Sequence, residues 1–414
     1  MKTYIYTIIS VVGVMMICSS CSSSVTGSSD EISPGYSFIA MHWDEDSDER
    51  PYFSMMNISN GEIDLTHLTD VYPSASLASP SNFTSWKQSF HQANGLLGFT
   101  LHRDLSETVT NDYGEEFIRW TGAWMDIGDG EVHELPKLSP CTDFGYSATD
   151  CNRYSYTRRN SVRTGKSGHV FYIAESAHHS ATWHHEPRYR IIRLDPQTGE
   201  YEVSPLISDW TLSQPEIDAD RYGLASITEL FPSACGRYVY GRTAGWGIDF
   251  GNLIASHALL FRYDFDTEEY SRVEEVPYNI SLTGITADDR YILYSNRNDR
   301  NNYRYDTQTG ESILIEEAGI GYSYQTMMHN NGGIGGAYPL RQLWHGNIIE
   351  DTIYQIPVPN HPDRPIFSAD GTRAYFRYRN CENNYLLRLN DLTEEATVDT
   401  VAALPPGLRV MTVY

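Results

Sequence analysis

The sequence predicts an all-β fold, a seven-bladed β-propeller closed by its C-terminal strand, and three observations carry that expectation. The first is a phrase of strand, polar turn and strand that recurs at Ser59–Ile63, Gly128–Val132, Pro196–Tyr201, Asp266–Tyr270, Thr307–Ser312 and Leu392–Ala396. With Gly61, Gly130, Gly199, Glu268, Gly310 and Glu394 as markers the steps are 69, 69, 69, 42 and 84 residues, the last being twice the fourth. A further turn is owed near Thr352, and Gly346–Pro357 supplies it as two apolar strands about a polar Glu350–Thr352 step. Seven such units read as propeller blades. The second observation is composition: 30 tyrosines among 414 residues, 13% aromatic overall, favour pleated surfaces over helices. The third is the pair of chain ends. Tyr36–Trp43 and Pro51–Met56 read as second and third strands of a blade without an innermost strand, whereas Leu408–Tyr414 reads as a strand without a blade. Pairing them completes blade 1, closes the ring and leaves no exposed edge there.

Ahead of the propeller, assigned to residues 36–414, stand two shorter segments. Lys2 precedes an apolar run from Tyr4 to Ile17, too short to span a bilayer, so residues 1–20 read as a signal peptide. Residues 21–35 are rich in Ser, Gly and Asp, the composition of a flexible tether. The run Cys18-Ser19-Ser20-Cys21-Ser22 resembles the bacterial lipoprotein signal. That resemblance implies that Cys21 is lipidated and becomes the mature N-terminus, with the membrane as partner through the lipid. Ser22 after it implies the outer membrane as destination.

Bulk charge excludes one class of partner. Asp+Glu number 54 against 30 Lys+Arg, a formal net charge of −24, and a nucleic acid needs a basic surface to release its counterions. Four cysteines remain in the mature body. Cys141 and Cys151 could close a short disulfide loop in an oxidising compartment, and Cys235 and Cys381 read as buried thiols. No GxSxG elbow, phosphate loop or zinc-type cysteine spacing is present.

In Pro365–Arg379 a short strand meets an Ala-Asp-Gly turn and then an alternating strand, and Ile285–Tyr294 and Phe231–Tyr240 are weaker versions. These segments resemble the repeats of TolB-type (PD40/WD40-like) propellers, in which such a turn joins the first two strands of a blade. The resemblance implies a strand order, and with it two unlike faces. Loops between second and third strands then share one face with the connections between blades. Nearly all long insertions fall there: Asp44–Arg50, His102–Glu116, Ser139–Lys166, Glu175–Pro187, Arg242–His257 and Met327–Gly336. Long loops on a rigid scaffold are where binding usually resides.

Two stretches on that face carry candidate chemistry. Asn152–Lys166 holds Arg153, Arg158, Arg159, Arg163 and Lys166, with no acidic residue from Asn152 to Ala174. Guanidinium forks beside Tyr154 and Tyr156 suit planar anionic or aromatic ligands. Arg242, Arg297 and Arg379 are expected where other second strands end, so they join the candidate ligand-binding set, as does Trp183. The plain alternative is that each arginine pairs with a nearby carboxylate. Ser176–Glu186 holds His178, His179, His184 and His185, four of 14 histidines, which could ligate a divalent metal, the one cofactor these side chains suggest. Their spacing matches no known catalytic site.

The leading functional expectation is a non-catalytic outer-membrane lipoprotein whose propeller face binds a small anionic ligand or an envelope protein. Its lipid anchor, serine-rich tether and early first blade resemble a family of siderophore-binding propeller lipoproteins. A metal-dependent lyase or hydrolase acting on acidic oligosaccharides is the second expectation, since propeller lyases of that kind use histidine-bound metal. A periplasmic assembly or scaffold protein of TolB type is the third.

Overall fold

The computed structural model describes residues 36–42, 52–69, 95–100, 108–110, 116–118, 121–147, 153–158, 161–178, 188–212, 224–249, 252–255, 258–276, 280–296, 299, 301–315, 327–328, 333–338, 342–350, 352–357, 365–368, 371–379 and 384–413. All belong to the compact unit Glu31–Tyr414. The expected signal peptide, tether and lipidated Cys21 lie outside them.

The first blade contains β1 (Tyr36–His42), β2 (Tyr52–Ser59) and β3 (Glu62–His67), and its innermost strand is β31 (Leu408–Val413), giving the order β3-β2-β1-β31. The predicted closure is therefore present: Phe38 faces Val413 and His42 faces Leu408 across an antiparallel ladder. Phe38, Ile39, Ala40 and Met41 are all fully buried because this strand has a neighbouring sheet on both faces. Val410, Met411 and Val413 fill the same two cores from the closing strand. Burying three such side chains contributes about 5–9 kcal/mol, comparable to the stability of a whole domain. Removing residues 409–414 is thus expected to abolish cooperative unfolding; a truncated chain with an unchanged melting temperature would refute the closure.

Five further sheets have the same plan. They are β10 (Arg163–Thr164), β11 (Val170–His178), β12 (Arg188–Leu194) and β13 (Tyr201–Val203), with β9 (Arg153–Thr157) also on β11; β14 (Leu224–Pro232), β15 (Tyr238–Asp249), β17 (Ala258–Asp264) and β18 (Glu269–Val276), with β16 (Asn252–Ala255) on β15; β19 (Ile280–Ile285) to β22 (Glu311–Leu314) through β20 (Tyr291–Asn296) and β21 (Asn301–Asp306); β23 (Met327–Met328), β24 (Gly333–Tyr338), β25 (Gln342–Asn347) and β26 (Thr352–Pro357); and β27 (Ile366–Phe367), β28 (Ala374–Arg379), β29 (Asn384–Leu389) and β30 (Val398–Leu404).

The blade count departs from expectation: among the described residues there are six four-stranded blades, not seven. All seven predicted hairpins form, but the Gly128–Val132 unit lies in a three-stranded sheet of β4 (Leu96–Thr100), β7 (Gly122–Asp126) and β8 (Val132–Glu134). By analogy with the other hairpins, β7 and β8 are third and fourth strands and β4 a second. No innermost strand accompanies them among the described residues. A hairpin echo marks only the outer half of a blade, so counting echoes overcounted complete blades. This sheet is still packed on both sides, by Leu97, Phe99 and Met125 against blade 1 and by Leu96 and Trp124 against Val162, Val170 and Tyr172. Gly130 meets blade 1 so closely that a Cβ there would lie 2.0 Å from the Leu68 carbonyl oxygen.

Five third strands end in a carboxylate or amide that caps the following turn. Asp126 accepts from Gly128 N (2.8 Å), Asp195 from Gln197 N (2.8 Å), Asp264 from Asp266 N (2.9 Å), Asp306 from Gln308 N (2.9 Å) and Asn347 from Ile349 N (2.8 Å). The marker residues Gly61, Gly130, Gly199, Glu268 and Gly310 all have φ between 57° and 81°, which is why glycine recurs there. Two residues before the cap stands Arg193, Arg262, Arg304 or Arg388, and in one blade His345. Arg193 donates to the Gly236 carbonyl of the next blade (2.9 Å) and Arg304 to the Ile348 carbonyl of the next. Blades are thus tied side by side at this level by guanidinium groups.

Candidate functional site

The alternating strands divide the described propeller into two faces. On one lie the seven hairpins, each presenting an exposed carboxylate: Glu62, Glu131, Glu200, Glu268, Glu311, Glu350 and Glu394. Toward the other face two ribbons stand apart from the four-stranded paths. One contains the pair β5 (Thr108–Thr110) and β6 (Glu116–Ile118); the other is the extension of β15 that pairs with β16.

At the loop-bearing end of β11 the two candidate stretches meet. Arg153, the first residue of β9, is opposite His178, and Arg188, the first residue of β12, is opposite Ser176. Opposed residues share a side of a sheet, as do positions two apart, so Arg153, Ser176 and Arg188 occupy one side. Over them lies the segment Cys141–Tyr146, which includes a short 3-10 turn at Thr142–Phe144. Ser176 Oγ donates to the Pro140 carbonyl (2.7 Å), Arg190 Nε to the Asp143 carbonyl (2.5 Å), and Arg188 Nη1 to the Phe144 carbonyl (2.7 Å). Phe144 is fully buried, and Cys141 is disulfide-bonded. Cys151, its expected partner, lies outside the described residues. The Tyr146 ring has the Arg153 guanidinium 3.6 Å from its centroid and that of Arg188 at 4.1 Å.

One layer deeper the cluster is internally neutralised. Arg158 Nη1 is 3.2 Å from Glu175 Oε2, and its guanidinium lies 5.1 Å from the Tyr189 ring centroid. Tyr189 donates to the other Glu175 oxygen (3.3 Å). Burial, followed by the Glu175 charge, raises the Tyr156 phenol well above its ordinary range. Burial works against the Arg158 charge too, but Tyr189 and Glu175 outweigh it and raise its pKa. These groups hold β9, β11 and β12 together.

Arg163 and Arg242 are set between innermost strands. Arg163 is 3% exposed, and burial lowers its pKa to about 10 although Glu229 opposes the shift. Arg242 Nε lies 3.6 Å from Glu229 Oε2, the atom that also accepts from Leu282 N of the next blade at 2.8 Å. Glu229 follows a bulge between Ile227 and Glu229, and innermost strand β19 has its own between Leu282 and Gly284. Such bulges re-aim the following side chain.

Of the remaining candidates, Tyr154, His178 and Arg379 have described backbone positions on β9, β11 and β28. Arg159, Trp183, His179, His184, His185 and Arg297 lie outside the described residues. Among the described residues no group of three or more His, Cys, Asp or Glu side chains could hold a metal. Sequence reasoning missed Arg188, Tyr146 and Glu175. Arg188 and Arg190 alternate at the head of a strand, a signal that was readable; the fold-back of Tyr146 onto them was not.

The chain is thus an all-β propeller with one loop-bearing and one acidic hairpin face. No protein-family model matches it, and no curated protein matches it in sequence. Among solved structures it is similar to an oligogalacturonate lyase in complex with manganese, with 12% identity, a TM-score of 0.51, and 89% of this chain and 85% of that chain covered. A second oligogalacturonate lyase, from Vibrio parahaemolyticus, matches at 10% identity and a TM-score of 0.50 over the same shares. TolB from Acinetobacter baumannii matches at 11% identity and a TM-score of 0.40, with 91% and 82% covered. At these identities the likeness is one of fold.

Proposed function

We propose that the protein is a non-catalytic outer-membrane lipoprotein that binds a small anionic ligand on its loop-bearing face. The observation that carries this reading is the division of charge between faces. Every hairpin contributes an exposed carboxylate to one face, while Arg153, Arg188 and Arg190 gather at the other, on two strands that flank β11. In a chain of net charge −24 such a division steers an anion to one side of the ring. The membrane attachment rests on the Cys21 signal. A metal-dependent lyase would draw on the histidine loop, and the likeness to lyase structures bears on architecture alone.

Amide hydrogen exchange with citrate as probe, at low ionic strength, tests the binding face. Protection is expected at 153–158, 174–178 and 188–190. Protection confined to hairpins 196–200 and 307–311, or none, would overturn the reading.

A further inference from the structure

We propose that a cleft beside Asp195, on the hairpin face of the β10–β13 blade, binds an alkylguanidinium group. This goes beyond the anionic-ligand reading, on the opposite face and with the opposite charge. In the two blades that follow, the carboxylate closing the third strand is matched by an arginine from the turn between first and second strands. Arg237 Nε and Nη2 donate to the two Asp264 oxygens (2.9 and 2.7 Å), and its guanidinium lies 5.0 Å from the Tyr238 ring centroid. Arg290 Nη2 donates to Asp306 (3.1 Å), with the Tyr291 ring centroid at 4.8 Å. Each guanidinium thus sits between an aspartate and the ring of the residue opposite it in the ladder.

The β10–β11 turn lacks that arginine because it is one residue shorter. Its closing hydrogen bond runs from Gly165 N to the His169 carbonyl, whereas the others run from Ser233 N to Tyr238 and from Thr286 N to Tyr291. The first parts of the three turns match, since Gly168, Gly236 and Asp289 donate to Gly165, Ser233 and Thr286, so the omitted position is that of Arg237 and Arg290. His169 takes the place of the tyrosine. Val170 faces Leu194, which sets His169 opposite Asp195. Where the guanidinium is missing, a cleft of about 440 Å³ opens, and His169, Arg193, Asp195, Glu200 and Glu202 line it.

The lining groups leave a negative charge there. Arg193 Nη2 donates to both Glu202 oxygens (2.7 Å each) and Nη1 to the Gly236 carbonyl, so its charge is matched. Asp195 stays ionised, held below the usual carboxylate range chiefly by the Gln197 N–H. Asp195 N donates to the Glu200 carbonyl (2.9 Å), which places a second carboxylate across the hairpin, and like charges directly opposite repel. Burial, then the Arg193 charge, lowers the His169 pKa, so the ring is neutral at neutral pH and supplies no counter-charge. A planar fork fits this arrangement: bidentate on Asp195, as Arg237 is on Asp264, with its face toward the His169 ring.

Ligand-observed NMR titration of the full chain at low ionic strength, with butylguanidinium and with butylammonium as a charge without a fork, tests this. Butylguanidinium is expected to bind more tightly by at least about threefold. Asp195→Asn keeps an acceptor for Gln197 N but removes the charge, and should weaken that binding by about tenfold. Inserting an arginine between Gly168 and His169 restores the longer turn and should weaken it at least as much; if that chain does not fold, Asp195→Asn carries the test. Glu311→Gln, on a hairpin whose Asp306 already has Arg290, should change it by less than about twofold. N-acetylargininamide separates two sources of the group: tighter binding than butylguanidinium supports a peptide arginine in the cleft, and equal or weaker binding supports a free small cation. Equal affinity for the two butyl probes, equal losses in Asp195→Asn and Glu311→Gln, or no binding of butylguanidinium would overturn the inference, and citrate protection on the loop-bearing face would be unaffected.

Discussion

Replacing Glu229 with alanine is expected to lower the unfolding free energy by about 1–3 kcal/mol, the cost of leaving a buried donor unpaired, because its side chain is 23% exposed. The Arg163 guanidinium, 3% exposed, would lose the carboxylate that offsets its burial. Arg242, whose side chain is 11% exposed, would lose the same partner, and Leu282 N would lose its acceptor at 2.8 Å. One carboxylate thus serves β10, β15 and β19, strands of three successive blades. Glu229→Gln retains an acceptor for Leu282 N but no charge, so it should fall between wild type and alanine. Urea titration reads both. A loss below about 1 kcal/mol for the alanine variant would place Glu229 among ordinary surface ion pairs and sink the argument.

The second large effect concerns His345 and appears as pH dependence. His345 is fully buried at the position where other third strands carry the inter-blade arginine, and neither ring nitrogen makes a well-aligned hydrogen bond, the Leu392 backbone being the polar group that bears on it. Burial pushes its pKa down to about 4, against a weaker opposing influence from the Leu392 backbone. The sign follows from proton counting. Between the unfolded value near 6.5 and about 4 the unfolded chain binds a proton that the native ring refuses, so stability falls as pH drops through that window. His345→Leu removes this linkage. The wild-type chain should lose about 2 kcal/mol more than the variant between pH 8 and pH 5. Parallel stability curves for the two proteins across that interval would refute the assignment.

Asp289 opposes this trend. It takes φ 57° in a turn where the equivalent Gly236 and Gly371 adopt 76° and 68°, and burial, followed by the Asp288 charge, raises its pKa to about 7. Its native carboxyl holds a proton that the unfolded chain gives up, so its contribution is present at low pH and lost as pH rises toward about 7. In wild type the two groups partly mask each other, and the His345 variant exposes the trend of Asp289.

The repeat was legible because its hairpins need a left-handed residue at a fixed step, and Gly61, Gly130, Gly199 and Gly310 announce it. Ring closure was legible for a different reason: an orphan strand and an incomplete blade predict each other. Complete blades could not be counted in the same way, since innermost strands such as β10 and β27 are only two residues long and carry no periodic mark. The Arg-x-Asp or Arg-x-Asn step that closes third strands, as in Arg193–Asp195, Arg304–Asp306 and Arg388–Asn390, was present in the letters but concealed by attention to the turn after it. At the site, the run of arginines was visible, but its division was not. Arg158 and Arg163 turn inward to carboxylates, whereas Arg153 joins Arg188 and Tyr146 from elsewhere in the chain. That division depends on strand register, which a single sequence does not display.

The pairing of β1 with β31 also bears on how the chain is made. Phe38 and Val413 are neighbours in one ladder although almost the whole polypeptide separates them. During synthesis no closed ring can exist until residues 408–413 have emerged. Every shorter nascent chain leaves Phe38, Ala40 and Met56 without Leu408, Val410 and Val413, which complete their cover. Such a chain remains threadable, and the same exposure makes it a substrate for holding chaperones. The closing strand thereby acts as a completion signal: the ring acquires its folded stability only once residues 408–413 have been made.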